Sequence, residues 1–313
     1  MRRASAAGSA RARTAVALAL LAVAVAGCGG RSRAPAPADP RRPPVRVASF
    51  DFSESQVLAA LYGQALAGHG YPVEPVDALG PREIVEPALQ QGQVDFVPEY
   101  LGSALDFVSN GERVASADAA RTRARLARAL RASGVTVLGY ARAQDQNGVA
   151  VTRRTAATRG LRRISDLAPV ASGLVFGGPP ECPQRPLCLQ GLQGAYGVAF
   201  KRFLPMPSFA VTAAALRQGQ IDAGMLITTD GDLADGDLVL LADDRHLQPA
   251  ENVVPVVRDR IVVAYGPALV AVVNQVTAQL TNADLVELNR QVALGERPDA
   301  VADAWLRRHG LAG

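Results

Sequence analysis

One eight-residue segment occurs twice, and it constrains the architecture more than any other feature of this 313-residue chain. Ala88-Leu89-Gln90-Gln91-Gly92-Gln93-Val94-Asp95 returns 127 residues later as Ala215-Leu216-Arg217-Gln218-Gly219-Gln220-Ile221-Asp222, with six of eight positions identical. Each copy reads as the end of an amphipathic helix, a glycine cap and the start of a strand. The repeat predicts two α/β lobes of similar design, and a length of about 150 residues per domain accommodates both. In open α/β sheets ligands gather beyond the carboxyl ends of strands. That directs attention to Glu99 and Tyr100 after the first copy, and to Thr228, Thr229 and Asp230 after the second.

The flanking pattern fits this plan. Residues 45–48 read as a strand, and Ser53 with Gln56 forms a capping-box pattern. Val57, Leu58, Leu61, Tyr62, Ala65 and Leu66 then recur at helical spacing until Gly68 and Gly70. A strand is predicted over 72–76, a helix starting at Pro81 and capped by Gly92, a strand over 94–97, and a longer helix over 117–133. The arginine-rich face of that last helix reads as solvated surface.

Hydrophobic residues make up 49% and charged residues 20% of the chain, which excludes disorder along its whole length. The net charge of +4 belongs to the amino terminus. Arg2, Arg3, Arg11 and Arg13 precede Cys28 with no acid among them; Arg31, Arg33, Arg41 and Arg42 against Asp39 follow before Val45. From Val45 onward 25 basic residues face 28 acidic ones, a net of −3, which argues against a nucleic-acid partner. Residues 1–27 read as an export signal, basic first and then apolar, too short to span a bilayer at about 20 residues. Val25-Ala26-Gly27-Cys28 resembles the bacterial lipobox, so Cys28 is the predicted lipidation site; the alternative is a plain secretory leader with a chance cysteine. Residues 28–44, with five prolines, read as a tether that in extended form reaches up to about 50 Å from the membrane. The expected location is therefore extracytoplasmic and anchored to the cell membrane.

In that oxidising compartment Cys182 and Cys188 are expected to form a local disulfide. His69, His246 and His309 lack metal-ligand spacing, and no Gly-x-Ser-x-Gly elbow, P-loop or strand-linked Gly-x-Gly-x-x-Gly occurs. Asp243-Asp244 reads as turn chemistry. No metal or cofactor is expected, and a secreted hydrolase is only a weak alternative.

The segments Ser49-Phe50-Asp51-Phe52-Ser53-Glu54, Leu79-Gly80-Pro81-Arg82-Glu83, Val94 through Gly102, Gln144-Asp145-Gln146-Asn147-Gly148, Thr229-Asp230-Gly231, and Asp243-Asp244 through Asn252-Val253-Val254-Pro255 occur in order. Together they resemble the substrate-binding proteins of glycine betaine/choline (osmoprotectant) ABC importers, of OpuAC/ProX-like type, over nearly everything after Val45. The resemblance implies a two-lobed periplasmic-binding-protein fold (type II), each lobe a mostly parallel sheet flanked by helices. It implies lobe 1 from 45–143 plus 256–313 and lobe 2 from 144–255, with crossovers near 143–147 and 252–257. It further implies a small betaine- or choline-type ligand, and a permease with a cytoplasmic ATPase as partner.

The family holds quaternary ammonium groups in an aromatic cage. Tyr100 and Tyr196 match cage positions, whereas Gly148, Ile227 and Glu251 stand where relatives carry further tyrosines. Arg185 matches an arginine near which some relatives bind the ligand carboxylate; the alternative is a loop stapled for stability alone. Glu54, Arg82, Asn147 and Thr229 are expected as polar cleft edges. Glu251 is a candidate counter-ion for a cationic ligand or else an exposed loop acid. Asp230 is a candidate contact or an organiser of the crossover. Two alternatives stay open: a non-betaine ligand, such as ergothioneine, an amino-acid-like or a phenolic compound, and a lipoprotein that senses solute for a signalling partner.

Overall fold

The computed structural model describes residues 42–313; the export signal, Cys28 and most of the tether lie outside the described residues. Lobe 1 opens with β1 (Val45–Phe50), a mainly apolar strand interrupted by Arg46 and buried along almost its whole length, as a central strand requires. There follow α1 (Ser53–Gly68), β2 (Val73–Gly80), α2 (Arg82–Gln90), β3 (Phe96–Tyr100), α3 (Leu101–Val108), α4 (Ala119–Leu130) and β4 (Val135–Val137). Lobe 2 contains β5 (Asn147–Thr152), α5 (Arg153–Arg159), β6 (Val175–Gly178), α6 (Leu189–Tyr196), β7 (Arg202–Pro205), α7 (Phe209–Arg217), β8 (Ala223–Ile227) and β9 (Leu238–Leu241). The chain returns to lobe 1 through β10 (Val253–Arg258), α8 (Asp259–Tyr265), α9 (Pro267–Gln279), α10 (Asn282–Ala293) and α11 (Pro298–Arg308). Trp305, Tyr62 and Phe96 are fully buried in the core of lobe 1, and Phe176 in that of lobe 2.

Both sheets follow one plan, with strand orders β2-β1-β3-β10-β4 and β7-β6-β8-β5-β9. The first three strands of each are parallel. The fourth is the strand that arrives from the other lobe, and it runs antiparallel to both neighbours. Four strands of each sheet therefore run one way and the crossover strand alone runs against them, so the sheets are mixed but mostly parallel, as read from sequence. β10 pairs with β3 from Val253 onward, so lobe 2 gives way to lobe 1 there, slightly ahead of the boundary at 255 read from sequence.

The repeated segment does the same work in both lobes. Gly92 and Gly219 adopt φ of 74° and 70°, a conformation that costs glycine little. The N–H groups of Gly92 and Gln93 return to the Leu89 and Ala88 carbonyls at 3.0 and 2.8 Å; those of Gly219 and Gln220 return to Leu216 and Ala215 at 3.1 and 2.9 Å. The aspartate that ends each copy then clasps the neighbouring strand. Asp95 donates its N–H to the Arg46 carbonyl at 2.9 Å and accepts the Arg46 N–H at 3.2 Å. Asp222 does likewise with Val175, at 2.9 Å in both directions. The repeat is thus a device that ends a helix and sets strand register in one move.

Local details depart from expectation. Ser53 does not cap α1: Phe52 occupies the N-cap position without a side-chain bond, and Ser55 instead accepts the Phe50 N–H at 2.9 Å, tying helix to strand. The helix predicted over 117–133 begins at Ala119 behind the Asp118 cap and ends in a 3₁₀ turn over Arg131–Ser133.

The clasp is directly testable. Asp222→Ala leaves the Val175 N–H without its acceptor and should cost about 1–2 kcal/mol in denaturant unfolding, whereas Asp222→Asn, which keeps a carbonyl oxygen there, should lose much less. Equal losses would show that the hydrogen bond is not what matters.

Candidate ligand-binding site

The two crossovers, 138–146 and 242–252, run side by side. Gln144 and Asn252 pair in antiparallel fashion, the Asp145 N–H donates to the Glu251 carbonyl at 3.1 Å, and the Val253 N–H to the Ala143 carbonyl at 3.0 Å. Thr228, at the end of β8, donates its hydroxyl to the Gln144 carbonyl at 2.7 Å and accepts the Gln146 N–H at 2.9 Å. The carboxyl ends of β3 and β8 are thereby brought to the same hinge.

Cavities lined by both lobes open along it. The largest, about 660 Å³, has Phe52, Ser53, Glu54, Asn289 and Arg290 from lobe 1, Phe209, Ile227 and Asp230 from lobe 2, and Asp145 from the hinge. A second, about 430 Å³, is lined by Asn147, Arg185, Cys182, Cys188, Phe209 and Met225 of lobe 2 and by Arg113 of lobe 1. Phe209 lines both. A third, about 620 Å³, has Arg82, Ser103 and Glu251 beside Leu187 and Pro249.

The largest cavity is acidic. Glu54, in the first turn of α1, is 5% exposed; it accepts the Tyr100 hydroxyl at 2.6 Å and the Asn289 amide at 2.6 Å. Asn289 also donates to the Thr229 carbonyl at 2.8 Å, joining α10 of lobe 1 to lobe 2. Burial pushes the Glu54 carboxyl pKa up, against the hydrogen bonds from Tyr100 and Asn289 and the nearby Thr229 hydroxyl. Asp145 is pushed well above the usual carboxylate range, first by burial and then by the charge of Glu54. Its Oδ1, the Asn289 Oδ1 and the Thr229 hydroxyl are buried atoms without a hydrogen-bond partner. Thr229 lies close enough to both carboxyls to hold their pKa values down, yet meets neither in full hydrogen-bond geometry. Buried polar atoms are rarely left unpaired, so three of them beside one cavity mark unused binding capacity.

Residues 43–308 match the family model described as the substrate binding domain of ABC-type glycine betaine transport system. The chain belongs to this OpuAC family. It is a transporter family rather than an enzyme family; its members bind a small solute outside the cytoplasm and work with an ABC-transporter permease. The glycine-betaine-binding protein of Pseudomonas aeruginosa is 30% identical over 278 residues, 85% of this chain and 88% of that protein. The ergothioneine transport permease/ergothioneine binding protein EgtU of Helicobacter pylori is 25% identical, over 86% of this chain and 48% of its own length. The apo structure of YehZ from Escherichia coli superposes with a TM-score of 0.77 at 26% identity, covering 86% of this chain and 99% of that one.

Within this OpuAC-family frame the expected contacts divide. Asn147 and Arg185 line the second cavity, and Glu54, Asp230 and Ile227 the largest. Tyr100 is 5% exposed and stands behind Glu54; the ring that reaches the cavity is Phe52, 43% exposed, with centroids 6.2 Å from Tyr100. Tyr196 is not brought to Tyr100 and lines none of these three cavities. It is buried in lobe 2, where its hydroxyl donates to Asp243 and accepts the Arg245 N–H at 2.7 Å, and the Arg245 guanidinium covers its ring. Asp243 also accepts the Leu247 and Gln248 N–H groups, which is turn chemistry. Asp230 caps the 3₁₀ turn Gly231–Asp235 through the Asp232 N–H at 2.9 Å while facing the cavity. At Gly148 a Cβ would lie 2.7 Å from the Leu240 side chain, so no ring fits there without repacking. Cys182 and Cys188 pair across their loop with Cα atoms 5.3 Å apart, a separation a disulfide spans.

Sequence reasoning missed Phe52, Phe209, Asp145, Asn289 and Arg113 as lining residues. Phe209 opens α7 behind the Ser208 cap; Asp145 falls inside a quoted motif. Asn289 and Arg113 carry no motif, and only the packing of distant segments reveals them.

Arg82 and Glu251 line the third cavity and are already engaged within lobe 1. Arg82 is held by Glu99 in a two-pronged contact at 3.0 and 2.9 Å, its guanidinium over Phe50. Glu251 accepts the N–H groups of Gly102 and Ser103 and the Ser103 hydroxyl at 3.1, 3.0 and 2.9 Å, anchoring the start of α3, where the helix dipole favours an anion. Burial still pushes its carboxyl up to about 7. Glu86 nearby is pushed up to about 7 by burial and then by Glu99. A carboxyl with a folded pKa above its ordinary value of 4.5 keeps its proton on folding, so stability falls as pH rises from 4.5 to about 7. Glu86→Gln keeps the acceptor for Gln90 and cannot ionise. Its melting temperature relative to wild type should climb across that window in a pH series, and a constant offset would show that Glu86 does not titrate there.

Proposed function

We propose that the protein is a lipid-anchored receptor that captures a betaine, a solute joining a quaternary ammonium group to a carboxylate, between its lobes. It hands that solute to a permease powered by a cytoplasmic ATPase. The observation that carries this reading is the contrast between two cavities that share Phe209. One gathers the carboxyl groups of Glu54, Asp145 and Asp230 with the rings of Phe52 and Phe209, beside Arg290; the other presents Arg185 and Arg113, beside Glu181. A cation that donates no hydrogen bonds is held by ring faces and nearby carboxylates, and a carboxylate by the fork of an arginine. Choline supplies only the first group, so the cleft is better matched to a zwitterion. The relatives' names agree, since glycine betaine and ergothioneine are both trimethylammonium carboxylates.

The Cys182–Cys188 pair is read as a disulfide of the exported protein that holds the Arg185 loop, and Cys28 as the acylated first residue of the mature chain. Mass spectrometry of that terminus should find the acylated cysteine; an unmodified start downstream would remove the anchor.

Ligand class is settled by calorimetry with glycine betaine, carnitine, ergothioneine and choline. The betaines should bind more tightly than choline, and Arg185→Ala should weaken them by roughly ten- to a hundredfold while affecting choline far less. Choline binding more tightly than every betaine would overturn the zwitterion reading.

A further inference from the structure

We infer that α10 of lobe 1 and the 3₁₀ turn Gly231–Asp235 of lobe 2 form a salt-sensitive strap, so that ionic strength sets how far the empty lobes stand apart. Arg290 on α10 pairs with Asp235 on the turn. Among the described residues it is the one ion pair that joins the lobes; every other pair closes within a single lobe. The charge on the turn accounts for it. Asp232, Asp235 and Asp237 converge on one guanidinium, that of Arg217, at 2.6, 3.4 and 2.8 Å. Arg153 lies beside them but donates to the Gly236 carbonyl. With Asp230 as its cap, the turn carries more acid than these two arginines offset, and Arg290 supplies a further cation from the opposite lobe. Backbone geometry lets the helix come this close. A Cβ on Gly231 would fall 2.8 Å from the Arg290 nitrogen and 2.9 Å from its Cα, so the turn rests on the helix backbone only because this residue is glycine.

Position gives the pair leverage. Asn282, at the start of α10, accepts the Gln144 N–H at 3.2 Å and donates to the Gln144 carbonyl at 2.7 Å, which fixes that end of the helix to the hinge. Arg290 stands about 12 Å farther along the helix axis, at 1.5 Å per residue. Rotation of the lobes about the crossovers therefore spares the Asn282 contact and pulls Arg290 away from Asp235. Their side chains are 36% and 49% exposed, so dissolved salt reaches and screens the pair. The neutral hydrogen bonds beside it, including that from Asn289 to the Thr229 carbonyl, lack this sensitivity. Rising salt thus loosens the outer end of the strap and leaves its hinge end intact.

The test measures the distance between the lobes in the full mature chain with no solute added, by energy transfer between dyes on non-natural residues at Val263 of lobe 1 and Ala157 of lobe 2, both exposed. Sodium chloride is raised from about 0.1 M to about 1 M, which shortens the screening length from about 10 Å to about 3 Å. The wild-type distance should lengthen, with the ratio of strapped to open molecules falling roughly two- to fivefold. Arg290→Gln should begin at the longer distance and lose the salt response. Asp235→Asn should do the same, and the two together should add little to either alone. Gly231→Ala should lengthen the distance at low salt by prising turn from helix. The inference is overturned if the wild-type distance ignores salt, if Arg290→Gln keeps the full salt response, or if sucrose at matched osmolality reproduces the shift. Because no solute is present, the outcome is independent of the betaine reading, whose failure would show as absence of calorimetric binding by every betaine.

Discussion

The structure depends on a short antiparallel contact between two crossover segments. Gln144 against Asn252, with the backbone bonds on either side, fixes where the lobes meet and therefore which side chains share a cavity. Several polar groups are arranged around that contact: Asp145 in one crossover, Glu251 in the other, Thr228 and Thr229 at the end of β8, Glu99 and Tyr100 at the end of β3. Both sheets direct the carboxyl ends of β3 and β8 at the hinge, where open α/β sheets place their ligands.

The polar chemistry at the hinge is layered. Nearest the lobe 1 core, Arg82 with Glu99, and Glu251 at the start of α3, are satisfied groups that fix geometry. In front of them Glu54, Asp145, Thr229 and Asn289 are only partly satisfied, and their unpaired atoms point to where an incoming solute gains most. The separation is physically sensible. A residue already bound on every side can position others but has little left to offer a ligand.

The fold was legible in the sequence because its signals are local. A helix end, a left-handed glycine and a strand start lie within eight residues, and their recurrence announced two lobes. The site was legible only in part. Glu54, Asn147, Arg185 and Asp230 reach the cavities because motif position and strand-end logic coincide for them. Tyr196 does not, because its environment is set by Asp243 and Arg245, about fifty residues away in sequence. Phe52 in place of Tyr100 reflects a choice between neighbouring rings that depends on which one Glu54 claims by hydrogen bond. The one reversed strand in each otherwise parallel sheet carries no local signal, because strand direction is a property of the chain's route through both lobes.

That route has a consequence for how the molecule is made. β10 is the fourth strand of the first sheet, and among the described residues β4, more than a hundred residues earlier in sequence, pairs with β10 alone. A chain that emerges amino-end first can therefore complete its second sheet, whose five strands all lie within 147–241, before the first can close. The middle of the polypeptide can mature ahead of its flanks, while the sheet begun at the amino end needs a strand from beyond it.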